Sequence, residues 1–265
     1  MMRTRCSSPV VVMVLVAIGC GGGKPQDAAA TPKEAGPAAP VQAVPAVSPA
    51  GGRGSATIRG TIRLSGAAPA QERIKMDADP VCQQQHATPV YAEEVVASTG
   101  GTLQNVFVHV KAGANGPFPA PAAPVTLNQQ GCWYQPHVFG IQVDQPLQIV
   151  NSDATLHNIN AKPTVNQPFN LAQPVQGMKT SKKFAKPEIM VTFKCNVHPW
   201  MRAYAGVVDH PFFSVSGADG SFAITGLPAG TYVLEAWHEK YGTQSRTVSV
   251  ADGDATSVEF TFTSP

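Results

Sequence analysis

Three side chains that bind soft metal ions occur within seven residues of this chain. Cys195, His198 and Met201 supply a thiol, an imidazole and a thioether, and they follow a run from Val191 in which apolar and polar residues alternate. Alternation of this kind is typical of a β-strand with one buried face, so the thiol ends a strand and the other two groups lie in the next loop. Thiolate and thioether are soft ligands and imidazole suits copper, so this loop predicts a metal site.

A fourth candidate ligand follows another strand-like run. The segment that begins at Leu147 leads to His157. Two histidines, one cysteine and a weak axial methionine form the ligand set of a blue-copper electron-transfer site. Three other interpretations of Cys195 remain: a small buried apolar side chain, the nucleophile of a catalytic Cys–His pair, or a zinc ligand. No oxyanion motif accompanies the cysteine, and methionine is a poor zinc ligand.

The two ligand segments resemble those of one protein family. The loop Cys195-Asn-Val-His198-Pro-Trp-Met201 is similar to the Cys-x-x-His-x-x-Met loop of the amicyanin-like and pseudoazurin-like cupredoxins, and Asn151-Ser-Asp-Ala-Thr-Leu-His157-Asn158 is similar to the loop that carries their first histidine. The resemblance implies a Greek-key β-sandwich over residues 119–209. It also implies one type 1 copper ion per chain, held by His157, Cys195 and His198 with Met201 as the weak axial ligand.

The same resemblance implies roles for three neighbours of the ligands. Asn158 would tie the two ligand loops together, and Pro199 has no N–H to donate toward the sulfur. Trp200 would lie beside His198. The ring edge of His198 would lie near solvent and serve as the electron port.

The C-terminal third resembles a different family. The block from Gly217 to Ala236, with turns at Asp219-Gly220 and Pro228-Ala-Gly230, is similar to the carboxypeptidase regulatory-like module, a transthyretin-type β-sandwich. That family has earlier Gly-x-Ile and Val-x-Val strands, which Gly60-Thr-Ile62 and Val106-Phe-Val108 can supply. The resemblance implies one Ig/transthyretin-like sandwich built from residues 56–118 and 210–265, with the cupredoxin inserted. The alternative is two sequential domains.

Periodicity places further strands and one long irregular stretch. Strict alternation predicts a strand from Ala56 to Leu64, with Ile58, Ile62 and Leu64 inward. Strands are also predicted at residues 125–127, 137–143 and 147–150. Residues 161–188 are polar, with several prolines and a lysine cluster, and are predicted to be mostly loop. The expected fold class is therefore all-β, with two sandwiches.

The N-terminus has the pattern of an export signal. Arg3 and Arg5 precede an apolar run that is shorter than the roughly 20 residues needed to span a bilayer. Ala17-Ile-Gly-Cys20 is similar to a bacterial lipoprotein cleavage box, which implies removal of residues 1–19 and lipidation of Cys20; ordinary signal cleavage is the alternative. Residues 20–55 are rich in Ala, Pro and Gly and are predicted to be a disordered tether.

The net charge does not favour a nucleic-acid partner, and the cysteines indicate a compartment. Without residues 1–19 the chain has 17 basic and 17 acidic residues, so bulk charge gives no reason to expect nucleic-acid binding. Cys82 and Cys132 are predicted to form a disulfide in an oxidising compartment. The bond would close a loop of about 50 residues and stabilise the folded state by roughly 4 kcal/mol. Two free thiols, or a second metal site with His86 and His137, are the alternatives.

Together these features predict a monomeric, lipid-anchored periplasmic protein that carries single electrons. Its redox partner is an unknown protein. Gly21 after the lipid cysteine favours the outer membrane. The alternative is a copper storage, sensing or interaction protein whose second sandwich docks a partner or glycan. An enzyme is not predicted, because copper oxidases and nitrite reductases need additional histidine ligands and no His-x-His pair occurs.

Overall fold

The computed structural model describes residues 53–265. The export signal, Cys20 and most of the predicted tether lie outside the described residues. Within the described part of the chain, no helix combines the length and the apolar character needed to cross a membrane.

Strands dominate residues 53–265, which confirms the all-β prediction, and one five-residue helix, α1, interrupts them. The elements are β1 (Ala56–Ser65), β2 (Arg73–Ile74), α1 (Pro80–Gln84), β3 (Val90–Tyr91), β4 (Phe107–Ala112), β5 (Val125–Gln129), β6 (Tyr134–Gln135), β7 (Val138–Gln142), β8 (Leu147–Asn151), β9 (His157–Lys162), β10 (Phe169–Gln173), β11 (Lys179–Lys182), β12 (Glu188–Lys194), β13 (Arg202–Val208), β14 (Phe213–Val215), β15 (Ser221–Leu227), β16 (Gly230–His238), β17 (Gly242–Val250) and β18 (Ala255–Thr263).

Strands from both ends of the described chain build the terminal sandwich. One sheet has the order β15-β1-β18 and the other β14-β4-β16-β17. Strand β1 runs parallel to β18, with Ile62 opposite Phe260. Alternation along β1 buries Ile58, Ile62 and Leu64, as predicted, in the core between the two sheets. Because β1 and β4 precede the strands that carry the ligand loops, this sandwich is discontinuous in sequence.

The central sandwich comprises β5 to β13. Its sheets have the orders β10-β9-β12-β13-β7 and β11-β8-β5-β6. The core between them contains Leu127, Ile149, Phe193 and Val207, all fully buried. Most of residues 161–188 lies outside strands, as predicted, but β10 and β11 fall within that stretch and were not predicted. Their side chains alternate between exposed and partly buried, so they pair as edge strands without a strong apolar pattern.

The segment between β1 and β4 packs on the central sandwich. Met76 and Cys82 belong to the core of that sandwich. Asp79 caps α1, accepting hydrogen bonds from the N–H groups of Val81 (2.8 Å) and Cys82 (3.3 Å). An Asp N-cap followed by Pro at the first helical position is a strong local start signal, and it accounts for a helix where the periodicity of residues 65–104 is weak.

Two glycines allow the sandwiches to approach closely. A small core of Phe107, Val138, Val208 and Phe213 lies between them. A Cβ atom at position 206 would lie 2.3 Å from the Phe107 ring, and one at position 140 would lie 2.2 Å from the Phe213 ring. Real carbon atoms do not come that close, so the aromatic rings occupy space that only glycine leaves open.

Substituting Gly206 tests this contact. Gly206→Ala is expected to lower the free energy of unfolding by about 1–3 kcal/mol, because the added methyl group forces the buried Phe107 ring aside. Urea denaturation followed by tryptophan fluorescence measures the loss. In a double-mutant cycle, Phe107→Leu should recover part of it by freeing space. Unchanged stability in Gly206→Ala would show that the two sandwiches do not pack through this ring.

Candidate metal centre

Adjacent strands of one sheet bring the predicted ligands to the same edge. His157 is the first residue of β9, and Cys195 directly follows β12. The two strands are antiparallel neighbours, with Lys194 opposite Asn160. The start of β9 and the end of β12 therefore meet at one end of the sheet, and the loop from Cys195 to Met201 joins β12 to β13 across it.

Backbone hydrogen bonds fold the ligand loop back on itself. The N–H of Cys195 donates to the carbonyl oxygen of Met201 (3.2 Å), and the N–H of Met201 donates to that of His198 (2.9 Å). The N–H of His198 donates to the Cys195 sulfur at 3.4 Å. Met201 is fully buried in the same core as Cys195. The short spacing of the three residues thus becomes a compact turn with all three side chains directed inward.

Asn158 joins the two ligand segments. Its side-chain oxygen accepts a hydrogen bond from the N–H of Asn196 at 3.1 Å. Its amide nitrogen donates to the carbonyl oxygen of Leu171 on β10. The residue after His157 is therefore tied to the residue after Cys195, which fixes the separation of the two ligands.

Three donor atoms converge in a dry interior. The Nδ1 atoms of His157 and His198 lie 3.0 Å apart, and the Cys195 sulfur lies 3.8 Å from Nδ1 of His198. Ligand atoms of all three residues lie within 4.8 Å of one another. The exposed fractions are 0% for His157, 2% for His198 and 3% for Cys195, so water does not solvate these groups. Two nitrogens that share one metal ion at roughly 2.0–2.1 Å, as in zinc sites, also lie about 3 Å apart.

Carboxylates occupy the far side of both rings. Nε2 of His157 lies 2.8 Å from Asp153 Oδ2, and Nε2 of His198 lies 3.0 Å from Asp79 Oδ2. Burial raises the pKa of each carboxyl, but hydrogen bonds, the imidazole's above all, outweigh it and hold the pKa of both below the ordinary value. Both are therefore ionised at neutral pH and can only accept, so each Nε2 carries the proton.

The tautomers leave lone pairs facing each other. With the proton on Nε2, a neutral imidazole presents Nδ1 as an acceptor. Two such acceptors at 3.0 Å, beside a sulfur, repel unless a proton or a metal ion lies between them. Two imidazole nitrogens and a thiolate fit a cation with soft or borderline character.

The thiol itself is prepared for metal binding. Burial raises the pKa of Cys195, but hydrogen bonds from His157 and His198, which hold a proton at the facing Nδ1 atoms while no metal ion is bound, and from two backbone N–H groups outweigh this effect and lower the pKa from 9.0 to about 5. At neutral pH the residue is therefore a thiolate, which is the form that binds metals. Hydrogen bonds to Asp153 and Cys195 likewise outweigh burial and raise the pKa of His157, so a bound cation would replace that proton.

One prediction about the site was wrong. His198 does not present a ring edge to solvent, because α1 and its cap cover it. The Cys82 sulfur lies 3.5 Å from Nε2 of His198, close to the Asp79 carboxylate. Trp200 packs against His198 with 5.1 Å between ring centroids and donates from Nε1 to the carbonyl oxygen of Cys132. Partly exposed Trp200, rather than His198, faces a cavity of about 790 Å³.

Cys82 and Cys132 are joined by a disulfide, with a Cα–Cα distance of 5.6 Å. Neither sulfur is then free to bind a metal. His86 bonds to the carbonyl oxygen of Gly131, and His137 pairs with Glu239, so neither histidine lies in a second metal cluster of the described residues.

His109, His210 and His238 are buried packing residues of the terminal sandwich, on β4, before β14 and on β16.

Asp79 and Asp153 were missed by the sequence analysis. Asp153 lies four residues before His157, in a loop held by Asn151, whose side chain bonds to the N–H of Asp153 and the carbonyl oxygen of Thr155. Asp79 lies 119 positions before His198. The Asp-Pro helix start was a readable signal for a cap, but no local pattern places that cap against a distant imidazole.

One family model matches the C-terminal part of the chain. Residues 208–263 match the model of the Carboxypeptidase regulatory-like domain, and they include all of β14 to β18. No curated protein matches the chain.

Weak similarity to solved structures involves copper proteins. A Cu-containing nitrite reductase from Thermus scotoductus SA-01 is 25% identical over 36% of this chain, with a TM-score of 0.29; the chain spans 24% of its length. A mutant of amicyanin in the Cu(I) state is 19% identical over 32% of this chain and 81% of its own, with a TM-score of 0.29. A purple cupredoxin from Nitrosopumilus maritimus is 20% identical over 32% of this chain and 98% of its own, with a TM-score of 0.28.

The low pKa of the thiol gives a direct test of the site without metal. In metal-free protein, the thiolate absorbance of Cys195 should disappear as the pH falls through about 5, rather than near 9.0. Ultraviolet difference titration against Cys195→Ser as the blank measures this midpoint. His157→Ala should raise it, because the thiolate loses a hydrogen-bond donor. A wild-type midpoint above pH 8 would mean that the imidazoles do not reach the sulfur.

Proposed function

We propose that this chain binds one copper ion through His157, Cys195 and His198, with Met201 as a weak axial ligand, and passes on one electron at a time. The observation that carries the proposal is the pair of Nδ1 atoms at 3.0 Å beside a buried sulfur. Bound copper would supply a reversible one-electron couple. Two imidazoles, a thiolate and a thioether form the donor set that favours copper over zinc, since methionine is a poor zinc ligand.

The protein contributes rigidity and exclusion of water. The Asn158–Asn196 hydrogen bond and the antiparallel pairing of β9 with β12 fix the ligands before any ion arrives. Burial keeps water out of the ligand sphere, so little solvent reorganises when the charge changes. These properties suit an electron carrier more than an enzyme, because a buried site offers a substrate no place to bind.

Trp200 provides the route for electrons that His198 does not. Its ring lies between the covered imidazole and the cavity of about 790 Å³, which Trp133 and Arg202 also line. An external redox partner that docks over this cavity would come within reach of the indole ring.

Copper storage or sensing is the second candidate function. The cover over His198 favours it, because an ion beneath α1 is shielded from partner proteins. In that case the second sandwich would dock a partner or glycan. Protein-film voltammetry separates the two: fast, reversible one-electron cycling supports the carrier, whereas slow or absent cycling with tight retention of Cu(I) supports storage.

An exported, lipid-anchored location is part of the proposal. The Cys82–Cys132 disulfide supports an oxidising compartment such as the periplasm. The lipoprotein-like box at Cys20 lies outside the described residues. Mass spectrometry of the membrane fraction would detect acylation at Cys20, and a soluble, unmodified product would exclude the anchor.

Copper binding should be visible. Adding Cu(II) to purified protein is expected to give an intense blue colour and the paramagnetic resonance spectrum of a type 1 site, at one ion per chain. Cys195→Ser should abolish the colour, because the absorption arises from the copper–thiolate bond. His210→Ala, at a buried histidine of the terminal sandwich, should keep it. A colourless wild-type product with Cys195 still reduced would exclude a type 1 centre.

Met201 is expected to tune the centre rather than form it. Met201→Leu should retain the colour and raise the reduction potential, because loss of the axial thioether removes electron density from the oxidised ion. Spectroelectrochemistry gives both values on one sample. If the substitution abolishes copper binding, Met201 is a principal ligand and the assignment of a weak axial role is wrong.

A further inference from the structure

Each ligating imidazole is held at its outer nitrogen by a carboxylate. The Asp153 side chain is 1% exposed and that of Asp79 is 17% exposed. Oδ2 of Asp79 also accepts a hydrogen bond from the Thr155 hydroxyl at 2.9 Å, in the loop that leads to His157. Asp79 therefore touches both ligand segments, although it lies in the separate segment that covers them.

The disulfide connects these two carboxylates. The N–H of Cys132 donates to Asp153 Oδ2 at 2.8 Å, and the N–H of Cys82 donates to Asp79 Oδ1 at 3.3 Å. Each half-cystine thus binds the carboxylate that holds one imidazole. The S–S bond between them closes a ring of contacts that runs from His157 to His198.

We propose that Asp79 and Asp153, joined through the Cys82–Cys132 disulfide, are positioning residues that orient both imidazoles toward the metal and favour its oxidised state. This inference rests on the proposed copper site. A carboxylate bonded to the outer nitrogen of a metal-binding histidine fixes its tautomer and makes it a stronger donor. Two negative charges beside the ligands also stabilise the more positive ion, and the charge of fully buried Asp153 is screened least.

A purely structural role for the carboxylates makes different predictions. Asp79 also caps α1, and Asp153 also accepts from the N–H of Gly131 at 2.8 Å. If capping were their whole contribution, their removal would lower stability but would leave the tautomers and the reduction potential of the folded protein unchanged. The experiment therefore measures those two properties.

Asparagine variants isolate the charge. Asp79→Asn and Asp153→Asn keep the shape and an acceptor oxygen, so both should still bind copper and stay blue. Each is expected to lower the ratio of Cu(II) to Cu(I) at a fixed applied potential tenfold or more, which is about 59 mV for one electron. Glu239→Gln is the matched control, because it removes a carboxylate bonded to His137, outside the centre, and it should change the ratio less than twofold.

Alanine variants isolate the positioning, and they can be read without copper. In metal-free wild type, ¹⁵N NMR should show the proton on Nε2 of both His157 and His198. Asp79→Ala should mix the tautomers of His198, and Asp153→Ala those of His157, with a 10- to 100-fold loss of copper affinity in each. Cys82→Ser/Cys132→Ser should weaken both contacts together.

The outcomes separate this inference from the copper proposal. Three results would each overturn the positioning role. They are neutral Nδ1–H tautomers in the metal-free wild type, Cu(II)/Cu(I) ratios of both asparagine variants within twofold of wild type, and an equal change of that ratio in Glu239→Gln. A wild-type protein that binds no copper overturns the proposed function instead, and the NMR result still decides whether the carboxylates orient the rings.

Discussion

The structure depends on the approach of two imidazole acceptor nitrogens to 3.0 Å beside a thiolate, in a place that water does not reach. Such an arrangement costs free energy in a protein that holds neither a proton nor a metal ion there, because the lone pairs repel and nothing solvates them. Something else in the fold has to hold the groups together. The surrounding strands, the covering helix and the disulfide all act against that repulsion, so the ligands are preorganised and binding an ion relieves an existing conflict.

Two parts of the fold hold these groups in place against their repulsion. The pairing of β9, β12 and β13 sets the ligand positions along the sheet, and the core beneath them, including Phe193 and Ala203, leaves those strands little freedom. The second part is the segment before β4, which crosses to the metal end and is fixed there by the disulfide. The terminal sandwich packs on the other face through Phe107 and buttresses the same sheet without touching the ligands.

The sequence predicts the parts of this arrangement that depend on local pattern. Alternation finds β1, β5, β8 and the strand before Cys195, and the spacing of the ligand loop indicates the donor set. Edge strands β10 and β11 escape detection because only one weakly buried side distinguishes them from loop. Asp79 and the covered ring of His198 escape for another reason. They depend on a segment 119 positions away folding over the loop, and no periodicity within either segment records that contact.

In the proposed carrier, the cover over His198 bears on how electrons reach the copper ion. A buried imidazole does not prevent transfer, because electrons cross a few ångströms of packed side chains, and Trp200 spans that distance toward the cavity. The cover does restrict which partners approach, since the α1 segment and the disulfide occupy the surface above the ring. The covering segment also contains Asp79, one of the two carboxylates that contact the imidazoles. Enclosure and charge therefore both come from the segment that contains α1, so the proposed carrier would change its partner access and its reduction potential together if that segment were lost.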